Sequence, residues 1–147
     1  MHYKQRFFNI HKSEKAVGLT KKNLWLFVRN NELNYIKLGH SLVFIPLDEI
    51  NALKHIYSLK KHYKKQDKIK ALNQYYLEKG LGMDYIKDLP ELLGTKDLCQ
   101  LFGIAPVTIH RRIINGELKA YKLGSSRRNY FKRDEVMALI QARKVQE

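Results

Sequence analysis

Near the C-terminus, apolar residues fall into short helical patterns cut by Gly and Pro. Leu98, Leu101 and Phe102 recur at i, i+3 and i+4. Thr95 precedes them with a hydroxyl suited to an N-cap, and Asp97 sits in the first turn, where negative charge complements the helix dipole. Gly103 predicts the stop, and Pro106 the start of a second helix, whose missing N–H costs nothing there. Ile109 and Ile113, four apart, define its inward face, and Gly116 its end. Leu118–Leu123 and Arg127–Lys132 flank Gly124-Ser125-Ser126 and predict a β-hairpin tipped by Arg127 and Arg128. Tyr121, Tyr130 and Phe131 are its packing residues. A third helix is expected from Glu135 to about Lys144, with Val136, Leu139 and Ile140 on one face.

The same pattern occurs earlier in the chain. Gly18–Gly39 aligns with Gly103–Gly124 at a constant offset of 85, with seven of 22 positions identical. One residue later in register, Asp48-Glu49-Ile50-Asn51-Ala52-Leu53 aligns with Asp134-Glu135-Val136-Met137-Ala138-Leu139. Two copies of one unit are therefore expected. Two short helices joined by a tight turn, followed by a hairpin and a third helix, make a winged helix-turn-helix. The expected class is mostly α with small β wings (α+β): two tandem winged helix-turn-helix units joined by a helical connector. The boundaries are 1–53 for a divergent first unit, 54–90 for a basic helical connector and loop, and 91–147 for the second unit. In the connector, Leu53, Ile56, Leu59, Tyr63, Ile69, Leu72 and Tyr76 keep a spacing of three and four with one gap, before Gly80, Gly82 and Pro90 mark a loop.

Charge narrows the class of partner. The 147 residues carry 28 Lys+Arg against 14 Asp+Glu, a formal +14. The excess is spread over all three segments, which reads as charge built into folded surfaces rather than a basic tail. The densest stretch is Lys54 to Lys70, with seven Lys and one Asp. A polyanion, nucleic acid first, is the simplest partner. A basic amphipathic helix can also lie on an anionic membrane. The apolar stripe of the connector is instead assigned to packing between the units. The single Cys, Cys99, excludes an intramolecular disulfide framework and a multi-Cys metal site, and reads as a small core filler. The opening MHYKQRFF lacks the apolar core of a secretion signal, and no run of about 18 apolar residues occurs. The expectation is a cytoplasmic, nucleoid-associated protein. His, Asp and Tyr residues show no nucleophile or metal spacing, and both units are small, so no enzyme and no cofactor are expected.

The run TKDLCQLFGIAPVTIHRRIINGELKAYKLGSSRRNYFKRDEVMALI resembles the excisionase-type, MerR-like winged-helix DNA-binding domain over roughly Leu92 to Gln141. The resemblance rests on the Gly103 turn, Thr108-Ile109-His110-Arg111, Asn115-Gly116-Glu117-Leu118, Lys122-Leu123-Gly124, Arg127-Arg128 and Asp134-Glu135-Val136. The family usually has Ser or Thr where Ala105 stands. The resemblance implies a second helix in the major groove, where each base pair shows a distinct pattern of donors and acceptors. Val107, Thr108, His110, Arg111 and Arg112 are its candidate contacts. Arg127 and Arg128 at the wing tip, flanked by Lys122 and Lys132, are candidates for the minor groove or for phosphates. The expected role is a sequence-specific regulator of transcription or an excisionase-like architectural factor in recombination. The alternative is an oligomeric DNA-binding assembly subunit such as a phage terminase small subunit.

The first copy differs. Trp25 and Leu26 stand at the positions of His110 and Arg111, and its second helix, Leu24-Trp25-Leu26-Phe27-Val28, is apolar nearly all round. A helix apolar on every face is expected to be buried on every face. This copy is expected to use its reading face for protein contact, self-association included. The rival is a second DNA contact through Thr20, Lys21, Lys22, Asn23 and Arg29.

Overall fold

The computed structural model describes residues 3–30, 32–39, 42–58, 70–72, 74–75 and 85–141. It is an α+β structure. The first half runs β1 (Phe7–Asn9), α1 (Ile10–Val17), α2 (Lys21–Arg29), β2 (Tyr35–Leu38), β3 (Leu42–Pro46) and α3 (Leu47–Ser58). The second runs β4 (Leu92–Gly94), α4 (Thr95–Phe102), α5 (Pro106–Ile114), β5 (Tyr130–Lys132), α6 (Arg133–Met137) and β6 (Ile140–Gln141). β1, α1 and α2 map onto β4, α4 and α5 at both ends with an offset of 85 residues, and α3 and α6 start 86 apart. The local chemistry recurs too. Gly18 and Gly103 end α1 and α4 at φ +80° and +64°, a left-handed cap that glycine takes without a Cβ penalty. Asn30 and Asn115 cap α2 and α5.

Several expectations shift in detail. Gly94, not Thr95, takes the cap position of α4, and its N–H donates to Asp97 Oδ2 at 2.8 Å. The hairpin after α5 is reduced to a single bridge between Tyr121 and Tyr130, and β5 pairs with β4. The third helix ends at Met137 rather than Lys144. Ile140 and Gln141 instead pair with Ile36 and Tyr35 of β2. Of the connector positions, Leu53, Ile56 and Leu72 are buried, and 70–72 and 74–75 are helical. Leu59, Tyr63, Ile69, Tyr76, Gly80, Gly82 and most of the Lys54–Lys70 stretch lie outside the described residues, as do 142–147.

The two halves share a core. β1, β3, β2 and β6 form one four-stranded antiparallel sheet, so the second half supplies its last strand. Side chains alternate across this sheet. Val43 and Ile45 point to the first unit's own helices, with Leu24, Phe27, Val28, Leu33, Ile50 and Leu53. Phe7, Ile36, Leu38 and Phe44 point the other way, into a core with Leu98, Leu101, Phe102, Ile109 and Phe131. Phe102 stacks on Phe7 at 4.6 Å between ring centroids and meets Phe44 edge-on at 4.9 Å. Hydrogen bonds follow the same seam: Arg6 N–H donates to the Leu101 carbonyl at 2.9 Å, and Tyr3 N–H to the side-chain Oε1 of Gln100 at 2.8 Å. Between the halves, Arg6 forks onto Asp88 at 2.7 and 3.0 Å. The Tyr85 hydroxyl donates to buried Glu49 at 3.2 Å and accepts from Asn34 at 2.7 Å.

Candidate nucleic-acid interface

α5 is set on the core by one side. Ile109 is buried, Ile113 packs against the same core, and Pro106 opens the helix after Ala105, which offers no side-chain cap. Rotation by about 100° per residue then puts 107, 110, 111 and 114 on one outward stripe. Val107 is 62% and Ile114 70% exposed, with His110 and Arg111 exposed between them. Arg111 makes no ion pair among the described residues, so its guanidinium keeps its five donors. Thr108 is half-buried at the edge of this stripe.

Arg112 departs from the expectation. Its Nη1 donates to Glu117 Oε2 at 3.0 Å, and the pair is four-fifths buried. Both side chains press on the turn between β2 and β3: a Cβ on Gly39 would clash with Glu117 Oε1 and lie 3.1 Å from Arg112 Nη1. The helix turns Arg112 inward, and the Asn115-Gly116 turn returns the chain so that Glu117 meets it. Arg112 ties the two halves together and is absent from the exposed stripe.

The segment from Tyr121 to Tyr130 carries the other candidates. Lys122, Arg127, Arg128 and Lys132 are all exposed. Lys122 Nζ donates to the Arg127 carbonyl at 3.0 Å, which braces the loop, and the Leu123 carbonyl accepts from Ser126 N–H at 3.1 Å. Arg127 and Arg128 share a groove with Thr95, Lys96 and Asp97 at the start of α4, lined also by Leu92 and Tyr130. Lys132 lies elsewhere, with its Nζ 4.6 Å from the centre of the Tyr121 ring; Lys119 covers the same ring at 5.1 Å. The Tyr121 hydroxyl is fixed by Glu135 at 2.5 Å. Lys96 and Lys119 are cations that motif reading passed over; the signal available was only their charge beside Thr95 and Tyr121.

In the first unit, Thr20 caps α2 by accepting from Asn23 N–H at 3.3 Å, which explains its residue type without a ligand. Lys21, Lys22, Asn23 and Arg29 are exposed. Trp25 and Leu26 are half-buried, and with Lys22 and Arg29 they line a shallow depression. The helix is thus buried along Leu24, Phe27 and Val28 only, not on every face. His40 and Ser41, at the turn of the first hairpin, lie outside the described residues. Cys99 is half-buried, and burial pushes its thiol pKa up, away from reactive thiolate. Among the described residues, no cluster of His, Cys, Asp and Glu could hold a metal, and no helix is long and apolar enough to cross a membrane.

Residues 92–144 match a helix-turn-helix domain family. The match points to DNA binding by this part of the chain, and within it α4 and α5 are the helix pair. No curated protein and no solved structure matches the chain.

Proposed function

We propose that the chain is a sequence-specific double-stranded DNA-binding protein, a regulator of transcription or an excisionase-like architectural factor of a mobile element. In this reading 1–53 and 91–147 are two winged helix-turn-helix units, joined by 54–90 and packed through a common core. α5 enters the major groove. Arg111 forks onto a guanine, Val107 meets a thymine methyl, and Thr108 and His110 reach neighbouring edges or phosphates. Arg127 and Arg128, with Lys96 and Lys122, hold backbone phosphates beside it, setting register and much of the affinity. The observation that carries the reading is the exposed stripe Val107, His110, Arg111 and Ile114 on the second helix of the matched helix-turn-helix segment.

The test is a salt titration of duplex binding by fluorescence anisotropy. Binding should fall linearly on a log–log plot, with a slope of about −0.9 per neutralised phosphate. Replacing Arg127 and Arg128 with Ala should flatten that slope by about two. An unchanged slope removes the loop from the interface, and failure to bind any duplex removes the reading.

A further inference from the structure

We propose that α2 is a second DNA-contacting helix, so that one chain engages two segments of one duplex at a fixed separation. This rests on the reading of α5 as the first such helix. α2 holds in its unit the place that α5 holds in the other, between the same left-handed glycine and the same asparagine cap. The offset of 85 sets Lys22, Trp25, Leu26 and Arg29 at the positions of Val107, His110, Arg111 and Ile114. These four are the residues that line the depression on α2. The outward stripe is conserved in position and inverted in chemistry: apolar ends around a polar middle on α5, cationic ends around an apolar middle on α2.

That inverted stripe suits a duplex. Lys21, Lys22 and Arg29 are exposed, make no ion pair among the described residues, and share a helix with no carboxylate. Pressing three uncompensated cations onto a second copy of the same face repels it. Pressing them onto phosphates releases condensed counterions. Cations at the two ends of the stripe can straddle a groove, leaving the exposed edges of Trp25 and Leu26 to meet thymine methyls and Asn23 to pair with an adenine edge. The described part of the first unit's hairpin is packed against the second unit through Ile36, Leu38 and Phe44, so the contact is assigned to the exposed face of α2. The separation is fixed by the shared core, the β2–β6 pairing, and the Arg112–Glu117 pair seated against Gly39.

Hydroxyl-radical footprinting of the full chain on duplexes selected from a random pool tests this. Three proteins are compared: wild type, Lys22→Ala with Arg29→Ala, and Arg111→Ala. The wild type should protect two segments at constant spacing. The α2 double variant should lose one and keep the other, with affinity lowered at least about tenfold and a salt slope flatter by about two. Inserting five base pairs between the segments, about half a helical turn, should bring the wild type down to the variant's affinity. A single protected segment, lost with Arg111→Ala and untouched by the α2 substitutions, overturns the proposal while leaving α5 as the reader. Substitutions on α2 that alter only self-association, measured by light scattering, overturn it in favour of a protein face. Absence of any protected duplex removes both readings. The replaced side chains are exposed, and an unchanged melting temperature confirms folding in each variant.

Discussion

Replacing Phe102 with Ala probes whether the two halves are one cooperative body. The ring is almost wholly buried at the end of α4, stacked on Phe7 and edge-on to Phe44, both from the first unit. Truncating a buried Phe typically costs about 3–5 kcal/mol, and each aromatic pair carries roughly 0.5–1.5 kcal/mol of that beyond simple burial. Against a domain stability of about 5–15 kcal/mol the loss is large, and it should lower the melting temperature on the order of 10 °C. The informative readout is where protection is lost. Amide hydrogen exchange should speed up in β1 and β3 of the first unit as much as in α4 and α5, with one transition by every probe. If only 92–141 loses protection while β1–β3 keeps its original rates, the halves are independent and the shared core has no energetic content.

Further outcomes follow from other seams. Glu117→Gln should destabilise by about 1–3 kcal/mol by leaving the Arg112 guanidinium buried without its charge partner, with urea midpoint as the measure; an unchanged midpoint would make the pair incidental. Gly39→Ala should cost at least about 1–2 kcal/mol from its φ of +70° alone, and its Cβ would also displace Glu117; a neutral melting temperature would show that this turn is not seated as described. The Arg6 guanidinium holds the Asp88 carboxyl below its ordinary value through their hydrogen bonds. A depressed folded value stabilises the protein above the ordinary carboxylate pKa and loses that contribution as pH falls through the depressed one. Asp88→Asn should therefore narrow the stability gap to wild type only on the acid side. Asp88 is largely exposed, so the effect is small; a gap that stays constant into acid would contradict the assignment.

Much of this architecture was legible because strong local signals agreed. Gly103, Pro106 and the spacing of Leu98, Leu101, Phe102 and Ile109 give the helix pair, and the offset of 85 carries it to the first half. Less legible were features that depend on distant partners. β1, β4 and β6 are two or three residues long, too short for a period-two pattern, and exist because they find β3, β5 and β2. Leu139 and Ile140 read as helix by spacing, but pairing with Ile36 decides otherwise. Phe7, Ile36, Leu38 and Phe44 are apolar in a way that does not say which unit they face. Arg112 looks like Arg111 in any sequence reading; only the return of Glu117 across the Asn115-Gly116 turn separates an anchor from a solvent-facing donor. Trp25 and Leu26 are apolar by count but half-buried by geometry, since a nine-residue helix anchored through Leu24, Phe27 and Val28 has one side left over.

The most direct measurement is selection of bound sequences from random duplexes by wild type and by Arg111→Ala. The wild type should enrich a defined motif. The variant should retain its fold and its salt-dependent affinity for non-specific duplex while losing about 1–3 kcal/mol of discrimination at one base pair of the selected motif. An Arg111→Ala protein that recovers the same motif with undiminished preference at every position would mean that α5 does not read DNA.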